Sequence, residues 1–175
     1  MLDASMILAA IVLATFIAEP FLSGRWNRFY FTVGVPVLIA TFPLQSRMAT
    51  LPPTGEIEAK LPAGGLIRIK AFDNFTYGFR EKLFLSRGLR SPIIHGLLIY
   101  DIYQGRLVVK GLLNWTFMAL TVIWYQYAVS EFSRGGSGMS LLLVVVHIAI
   151  SLAIYFTQRK KYVAIGRVVE SLLTS

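Results

Sequence analysis

The chain lacks cysteine entirely and holds few charged residues for its length. None of its 175 residues is cysteine, and only 15% are Asp, Glu, Lys or Arg. Without cysteine there is no disulfide, no thiolate zinc site and no cysteine nucleophile. The patterns GxxxxGKS/T, HExxH, GxSxG and GxGxxG are also missing, so phosphate-binding loops and the common hydrolase arrangements lack support. The sequence therefore predicts no catalytic and no metal site.

Apolar residues dominate what is there. They make up 55% of the chain, and its mean hydropathy is +0.63, which is more than a soluble globule of this size normally carries. Segments 1–22, 29–45, 112–130 and 139–157 hold almost no charge. Crossing about 30 Å of hydrocarbon takes roughly 20 helical residues. We therefore predict an α-helical integral membrane protein with about four transmembrane segments, arranged as two helical hairpins.

The two hairpins differ in how closely they follow the membrane pattern. Segment 112–130 has tryptophan or tyrosine near both ends, as expected at the two interfaces, and segment 139–157 is followed by the stop signal QRKK. The short glycine-rich SEFSRGGSG joins them. Segment 1–22 lacks the basic start of a signal peptide, so we predict a retained span. Segment 29–45 contains Gly34, Pro36 and Pro43, which predict a bent or re-entrant helix.

The distribution of basic residues predicts the orientation. Lysine and arginine number 17 against 9 acidic residues, and the net charge is +8. If both chain ends face the cytoplasm, only Arg25, Arg28 and Arg134 lie outside, which fits the positive-inside rule. The first turn, with its two arginines, argues locally the other way. We predict a bacterial inner membrane, with the central domain and both termini cytoplasmic. The membrane orientation thus accounts for the positive net charge, and no nucleic-acid partner is predicted.

The central segment 48–111 is predicted to form a small β-rich domain between an N-terminal hairpin (1–47) and a C-terminal hairpin (112–158). EIEAKLP, LIRIKAF and the hairpin 97–110, which turns at Gln104 and Gly105, alternate polar and apolar residues. Four or five strands predict an antiparallel sheet or an incomplete barrel. A sheet this small needs outside support from the bilayer, the membrane helices or another subunit.

Two basic segments are predicted to contact lipid or a partner. YGFREKLFLSRGLRSP suits an anionic membrane surface or forms a short amphipathic helix. Residues 159–175 are predicted to form an amphipathic helix with Tyr162, Ile165, Val169 and Leu172 on one stripe. We prefer membrane contact for this stripe, with docking on the β domain or on a partner as alternatives. The predicted contact residues are Arg80, Lys82, Arg87, Arg90, Arg159, Lys160 and Lys161.

Glu19 and His147 are polar residues inside predicted spans, where ionisable side chains are functional candidates. Glu19 is expected to form an interfacial ion pair with Arg25. His147 is expected to hydrogen-bond a neighbouring helix. A haem would need a second axial ligand from Met118, Met139 or His95, so the cofactor is left open. Convergence of Asp73, His95 and Asp101 is the enzymatic alternative.

These features favour a non-enzymatic accessory, scaffold or assembly subunit of a membrane complex. Its predicted partners are anionic lipids and either other membrane subunits or further copies of the same chain. The alternative is a homo-oligomeric channel or a ligand-triggered membrane effector. In that case the β domain senses a signal and the helices open a path.

Overall fold

A five-stranded antiparallel sheet lies at one end of three long helices. The computed structural model describes residues 4–44, 50–61, 67–81, 94–135 and 138–174. The elements, in chain order, are α1 (Ala4–Gly24), α2 (Arg28–Thr32), β1 (Pro36–Pro43), α3 (Thr54–Lys60), β2 (Ile67–Ala71), β3 (Thr76–Glu81), β4 (Ile94–Asp101), β5 (Arg106–Leu113), α4 (Trp115–Ser133) and α5 (Gly138–Thr174). The strand order is β1-β5-β4-β3-β2.

The β4–β5 hairpin and its direct continuation into α4 confirm the prediction for this part of the chain. The strands pair antiparallel from Ile94↔Leu113 to Asp101↔Arg106. Gly105 in the turn has φ +58°, a left-handed conformation that glycine adopts without steric cost. Only Asn114 separates β5 from α4. The position of α4 is therefore set directly by the sheet.

The prediction of a membrane segment at 29–45 is wrong. Residues 36–43 form β1, an edge strand that pairs antiparallel with β5 from Pro36↔Leu112 to Pro43↔Arg106. Both prolines lie at strand ends, where an edge strand tolerates a missing backbone donor. An uninterrupted apolar run of this length does not distinguish a strand from a buried helix by periodicity. The four-span arrangement, and with it the N-terminal helical hairpin, is therefore incorrect.

Within the described ranges, two helices are long and apolar enough to cross a membrane. They are Met6–Gly24 in α1 and Leu141–Leu173 in α5. Helix α4 does not join them, because its tryptophan, tyrosine, glutamine and glutamate residues lower its hydropathy. α1 and α4 run antiparallel, since Glu19 bonds to the first turn of α4 while Leu8 lies beside Arg134 at its other end. The first turn of α1 and the last turn of α4 thus lie at the end remote from the sheet.

The first five residues of EIEAKLP, predicted as a strand, lie in helix α3. Four alternating residues are too few to outweigh residues that favour a helix, and Glu56 in the first turn and Lys60 in the last both suit the helix dipole. The helix covers the outer edge of β2, where the Glu58 carboxylate accepts the Ile69 N–H at 2.7 Å. Such cover protects an exposed strand edge from pairing with another chain.

The second half of α5 packs on the sheet. The α5 helix is continuous for 37 residues, and Tyr162, Ile165, Val169 and Leu172 are buried with residues of all five strands and α3. The amphipathic stripe was therefore predicted correctly, but its preferred contact with the membrane was wrong, because the sheet covers it. This helix supplies much of the outside support that a small sheet requires.

Candidate functional site

Four polar residues form a buried cluster where the helices meet the sheet. Glu19 of α1, Tyr30 of α2, His95 of β4 and Asn114 before α4 are at most 2% exposed. We call this group the junction cluster. Its members come from four separate elements, and buried polar groups of this kind are stable only when they bond to one another. The junction cluster thus ties α1 and α2 to the sheet and to α4.

Glu19 binds the start of α4. Its carboxylate accepts the Trp115 N–H at 3.1 Å, the Thr116 N–H at 2.8 Å and the Tyr30 hydroxyl at 2.6 Å. The first N–H groups of a helix have no partner within the helix and lie at the positive end of its dipole, so a carboxylate is well placed there. The described residues show no ion pair between Glu19 and Arg25; the Arg25 guanidinium instead lies 4.0 Å from the centre of the Phe21 ring.

His95 bonds through both ring nitrogens. Nε2 lies 3.0 Å from the main-chain oxygen of Tyr30, and Nδ1 lies 3.0 Å from the Asn114 side-chain amide. Because a carbonyl only accepts, Nε2 carries a proton. A neutral ring then accepts from the amide NH₂ of Asn114, whereas a charged ring donates to the amide oxygen. The charge of His95 and the orientation of the Asn114 amide are therefore coupled.

Burial sets the protonation of this cluster. Burial lowers the pKa of His95, against the opposing effects of Asn114, the Tyr30 carbonyl and Glu19. Burial also raises the pKa of Tyr30 far above its ordinary range, and the adjacent Glu19 adds to this. Tyr30 therefore keeps its proton, and its hydroxyl donates a hydrogen bond to Glu19. The ring of His95 stacks on that of Tyr30 at 4.1 Å between centroids.

Acidification is expected to destabilise the protein through His95. A histidine whose pKa is lowered by folding binds fewer protons in the folded state, so stability is lost as the pH falls below about 6.5, the unfolded value, toward the folded one. Thermal unfolding in mild detergent, measured from about pH 7.5 down to about pH 5, should show this loss. His95→Gln should remove most of the pH dependence, whereas His147→Gln should keep it. An unchanged slope in His95→Gln would contradict the assignment.

The enzymatic alternative brings no residues together in the described part of the chain. Asp73 pairs with Arg28 at 2.9 Å on the surface, and Asp101 pairs with Arg106 at 3.5 Å. His95 and Asp101 lie six residues apart on β4, a separation of about 20 Å along an extended strand. Among the described residues, no group of three His, Cys, Asp or Glu side chains is placed to hold a metal ion.

His147 faces α4 rather than a second histidine. Its ring lies 5.9 Å from that of Trp124 and 5.8 Å from that of Tyr125, between centroids. Its Nε2 is buried and has no hydrogen-bond partner within the described ranges. The side chain lines an apolar cavity of about 530 Å³ between α4 and α5, together with Met118. Nε2 therefore makes no hydrogen bond to a neighbouring helix among the described residues, and His95, bonded at both nitrogens elsewhere, is not the haem partner of His147.

The predicted basic contact residues fall into three groups. Arg159 and Lys160 are exposed on α5, and Lys161 pairs with Glu81 at 2.6 Å. Arg80 is buried on β3. The remaining three, Lys82, Arg87 and Arg90, lie outside the described residues.

Tyr30 and Asn114 are the site residues that sequence reasoning missed. Asn114 offered a local signal, since asparagine immediately before an apolar helix is a preferred N-cap residue. Tyr30 offered none, because its partners lie 11, 65 and 84 residues away in the chain.

No protein-family model, curated protein or solved structure matches this chain.

Proposed function

We propose that the chain is a non-enzymatic subunit of a membrane complex. Helices α1, α4 and α5 lie in the bilayer, and the sheet stands on one membrane face. There α5 contacts anionic lipid, and the sheet face opposite α5 docks an acidic partner protein. The observation that carries the proposal is the position of exposed basic residues relative to exposed apolar ones.

The apolar surfaces of the helices support a membrane location. Only 11% of the candidate span in α1 and 6% of that in α5 is buried, whereas the core helix of a soluble protein is mostly buried. Large exposed side chains such as Phe16, Ile17, Val129, Leu141 and Ile150 continue along all three helices. An apolar surface of this extent needs lipid or protein to cover it.

The basic residues collect at the sheet end of these helices. Twelve of the thirteen lysines and arginines in the described part lie there; these are Arg25, Arg28, Lys60, Arg68, Lys70, Arg80, Arg106, Lys110, Arg159, Lys160, Lys161 and Arg167. Arg134 lies at the opposite end. With no second span at 29–45, Arg25 and Arg28 join the majority, and the local conflict in the charge pattern disappears. The positive-inside rule then favours a cytoplasmic sheet, with the two ends of the chain on opposite membrane faces.

Arg159 and Lys160 lie where α5 changes its surroundings. The apolar, exposed part of the helix ends at Phe156, and the part packed on the sheet begins at Gln158. Exposed cations at this level would meet phospholipid headgroups, where each contributes about 1 kcal/mol. Together with Arg167 they line an open cavity of about 370 Å³ on α5.

The sheet face opposite α5 supports a docking role. The register places Lys70, Gly78, Leu97 and Lys110 in one row across four strands. Tyr30 and Phe31 cover Leu97, but Lys70 is exposed and Lys110 is half-exposed. Neither lysine has an acidic partner in the part of the chain that the structure describes. A basic face of this kind complements an acidic protein surface.

Purification from native membranes in mild detergent tests the proposal. The protein should resist alkaline carbonate extraction and bring a stoichiometric partner with it. Lys70→Glu/Lys110→Glu is expected to reduce partner recovery at least about tenfold, because like charges at a rim cost roughly 1.4 kcal/mol or more. The control Lys60→Glu/Arg134→Glu makes the same charge change away from this face and should retain the partner. A lone monodisperse monomer, or equal losses in both variants, would contradict docking on this face.

A further inference from the structure

Arg80 is a buried cation without a counter-charge in the described residues. Its side chain is only 9% exposed, and its Nε is buried with no hydrogen-bond partner. One terminal nitrogen donates a long bond of 3.5 Å to the Glu81 carbonyl. Burying an uncompensated charge is costly, so residues of this kind normally pair with an anion. An unpaired guanidinium in this position requires an explanation.

The surroundings of Arg80 add positive charge. Arg68 lies directly opposite it on β2, and like charges in opposed positions are unfavourable. Two acids that bond to this part of the sheet pair with other cations: Glu58 pairs with Arg68 at 2.9 Å, and Glu81 pairs with Lys161 at 2.6 Å. Residues 82–93, which follow directly in the sequence, contain two arginines and one lysine but no acidic residue. An anion from outside the chain would neutralise this group.

Trp26 forms one wall of the site. The guanidinium of Arg80 lies 4.8 Å from the centre of the Trp26 ring, and this ring stacks on Phe31 at 5.2 Å. Trp26 has φ +55°, and it is the one residue other than glycine with positive φ in the described part of the chain. A bulky residue in this conformation is strained, and such strain often occurs at ligand sites. The turn between α1 and α2 thus holds an aromatic ring against the cation.

The site lies at the membrane end of the sheet. Phe79 pairs with Gly96 at the start of β4, so Arg80 lies level with His95 and close to the junction cluster. Trp26 follows the end of α1. Under the proposed membrane placement, this is the depth of the lipid headgroups, where tryptophan rings are also enriched.

We propose that Arg80 binds the phosphate of an anionic phospholipid, with Trp26 as the aromatic wall of the site. This inference rests on the proposed function, because it requires the sheet to stand at the bilayer surface. A guanidinium offers paired N–H donors that match two phosphate oxygens, which a lysine ammonium does not. The bound anion would reduce the repulsion between the positive charges of Arg80 and Arg68. It would make the lipid a structural partner of the sheet rather than a bulk solvent for the helices.

Thermal unfolding in lipid nanodiscs tests this proposal. The full chain is placed in discs of phosphatidylcholine, in discs that also contain phosphatidylglycerol, and in phosphatidylcholine discs with inorganic phosphate in the buffer. Phosphatidylglycerol is expected to raise the Tm of the wild type, and Arg80→Gln should lose at least half of this rise. Arg106→Gln is the control: it removes a surface arginine that pairs with Asp101 at the turn of the β4–β5 hairpin, and it should keep most of the rise. Arg80→Lys keeps the charge but not the paired donors, so an intermediate rise is expected.

Each other outcome overturns part of the proposal. If phosphatidylglycerol raises the Tm of Arg80→Gln and of the wild type equally, Arg80 is not the binding group. A rise with inorganic phosphate alone, lost in Arg80→Gln, assigns the site to free phosphate and rejects the lipid. If Arg80→Gln does not fold, Arg80→Lys is the deciding variant. A Tm increase in Arg80→Lys as large as that of the wild type contradicts recognition of the phosphate by the paired N–H donors. Failure of the wild type to resist carbonate extraction would instead reject the membrane placement itself.

Discussion

Replacing Glu19 by alanine is expected to lower the free energy of unfolding by about 4 kcal/mol, which is a Tm decrease of roughly 8–16 °C for a chain of this size. The carboxylate accepts three hydrogen bonds, from Tyr30 and from the backbone of Trp115 and Thr116. Bonds to a charged group contribute about 1.5–3 kcal/mol each but are not additive, and the donors left behind are buried or half-buried. Thermal unfolding in mild detergent, followed by circular dichroism, measures the loss.

Two further substitutions make this expectation specific. Glu19→Gln retains an acceptor oxygen but turns an NH₂ group toward the helix donors, so about half of the loss is expected. Glu131→Ala removes an acid from the last turn of the same helix α4, where it pairs with Arg134 at 3.8 Å on the surface. An exposed pair of this kind contributes less than about 0.5 kcal/mol. Equal effects of Glu19→Ala and Glu131→Ala would show that the junction cluster does not hold the helices to the sheet.

The parts of the fold that could be predicted are those with local signals. The β4–β5 hairpin alternates polar and apolar residues around a glycine turn, and both signals lie within about fifteen residues of each other. The stripe of Tyr162, Ile165, Val169 and Leu172 is equally local. What covers that stripe is not, because a lipid surface and the apolar face of a sheet present the same chemistry to a helix. Only the pairing of strands distant in sequence shows which of the two is present.

β1 shows why the membrane segments were overcounted. Its residues Val37, Leu38 and Ile39 are consecutive and apolar, although Leu38 is buried and Ile39 is 64% exposed. An edge strand beside a membrane can be apolar on both faces, which removes the period-two signal on which strand prediction depends. Its partner β5 begins more than sixty residues later in the chain. Pairing with β5, rather than any property of the segment itself, makes it a strand.

The candidate site was predictable only as separate residues. Glu19 and His95 attract attention individually, because a carboxylate inside an apolar segment and one of only two histidines in the chain are unusual. Their connection runs through Tyr30, which bonds to Glu19 at a separation of 11 residues and to His95 at a separation of 65 residues. Arg80 was predicted to contact lipid or a partner as a surface cation, but its burial and its contact with Trp26 belong to the tertiary structure alone.

Replacing Gly166 by leucine is expected to destabilise the protein by about 2–3 kcal/mol. Gly166 lies in α5 where this helix crosses β1, and a Cβ atom there would overlap the ring of Phe42. Phe42 is half-buried and packs against the core that α5 shares with the sheet, so either this ring or α5 must shift to admit the leucine. The overlap opposes the usual gain of about 1 kcal/mol when glycine is replaced inside a helix. Thermal unfolding in mild detergent measures the net effect.

The sign of this change distinguishes the two positions considered for the end of α5. If residues 159–174 lay on the membrane surface, leucine would add helix propensity and apolar contact with lipid, and Gly166→Leu would stabilise the protein. Gly55→Leu, at a helical glycine with open space around it, is the matched control and should leave stability unchanged or slightly higher. In the background of Phe42→Ala, which removes the obstructing ring, Gly166→Leu should cost about 2 kcal/mol less than in the wild type. A cost that persists without the Phe42 ring would mean that the helix does not dock on β1 through this contact.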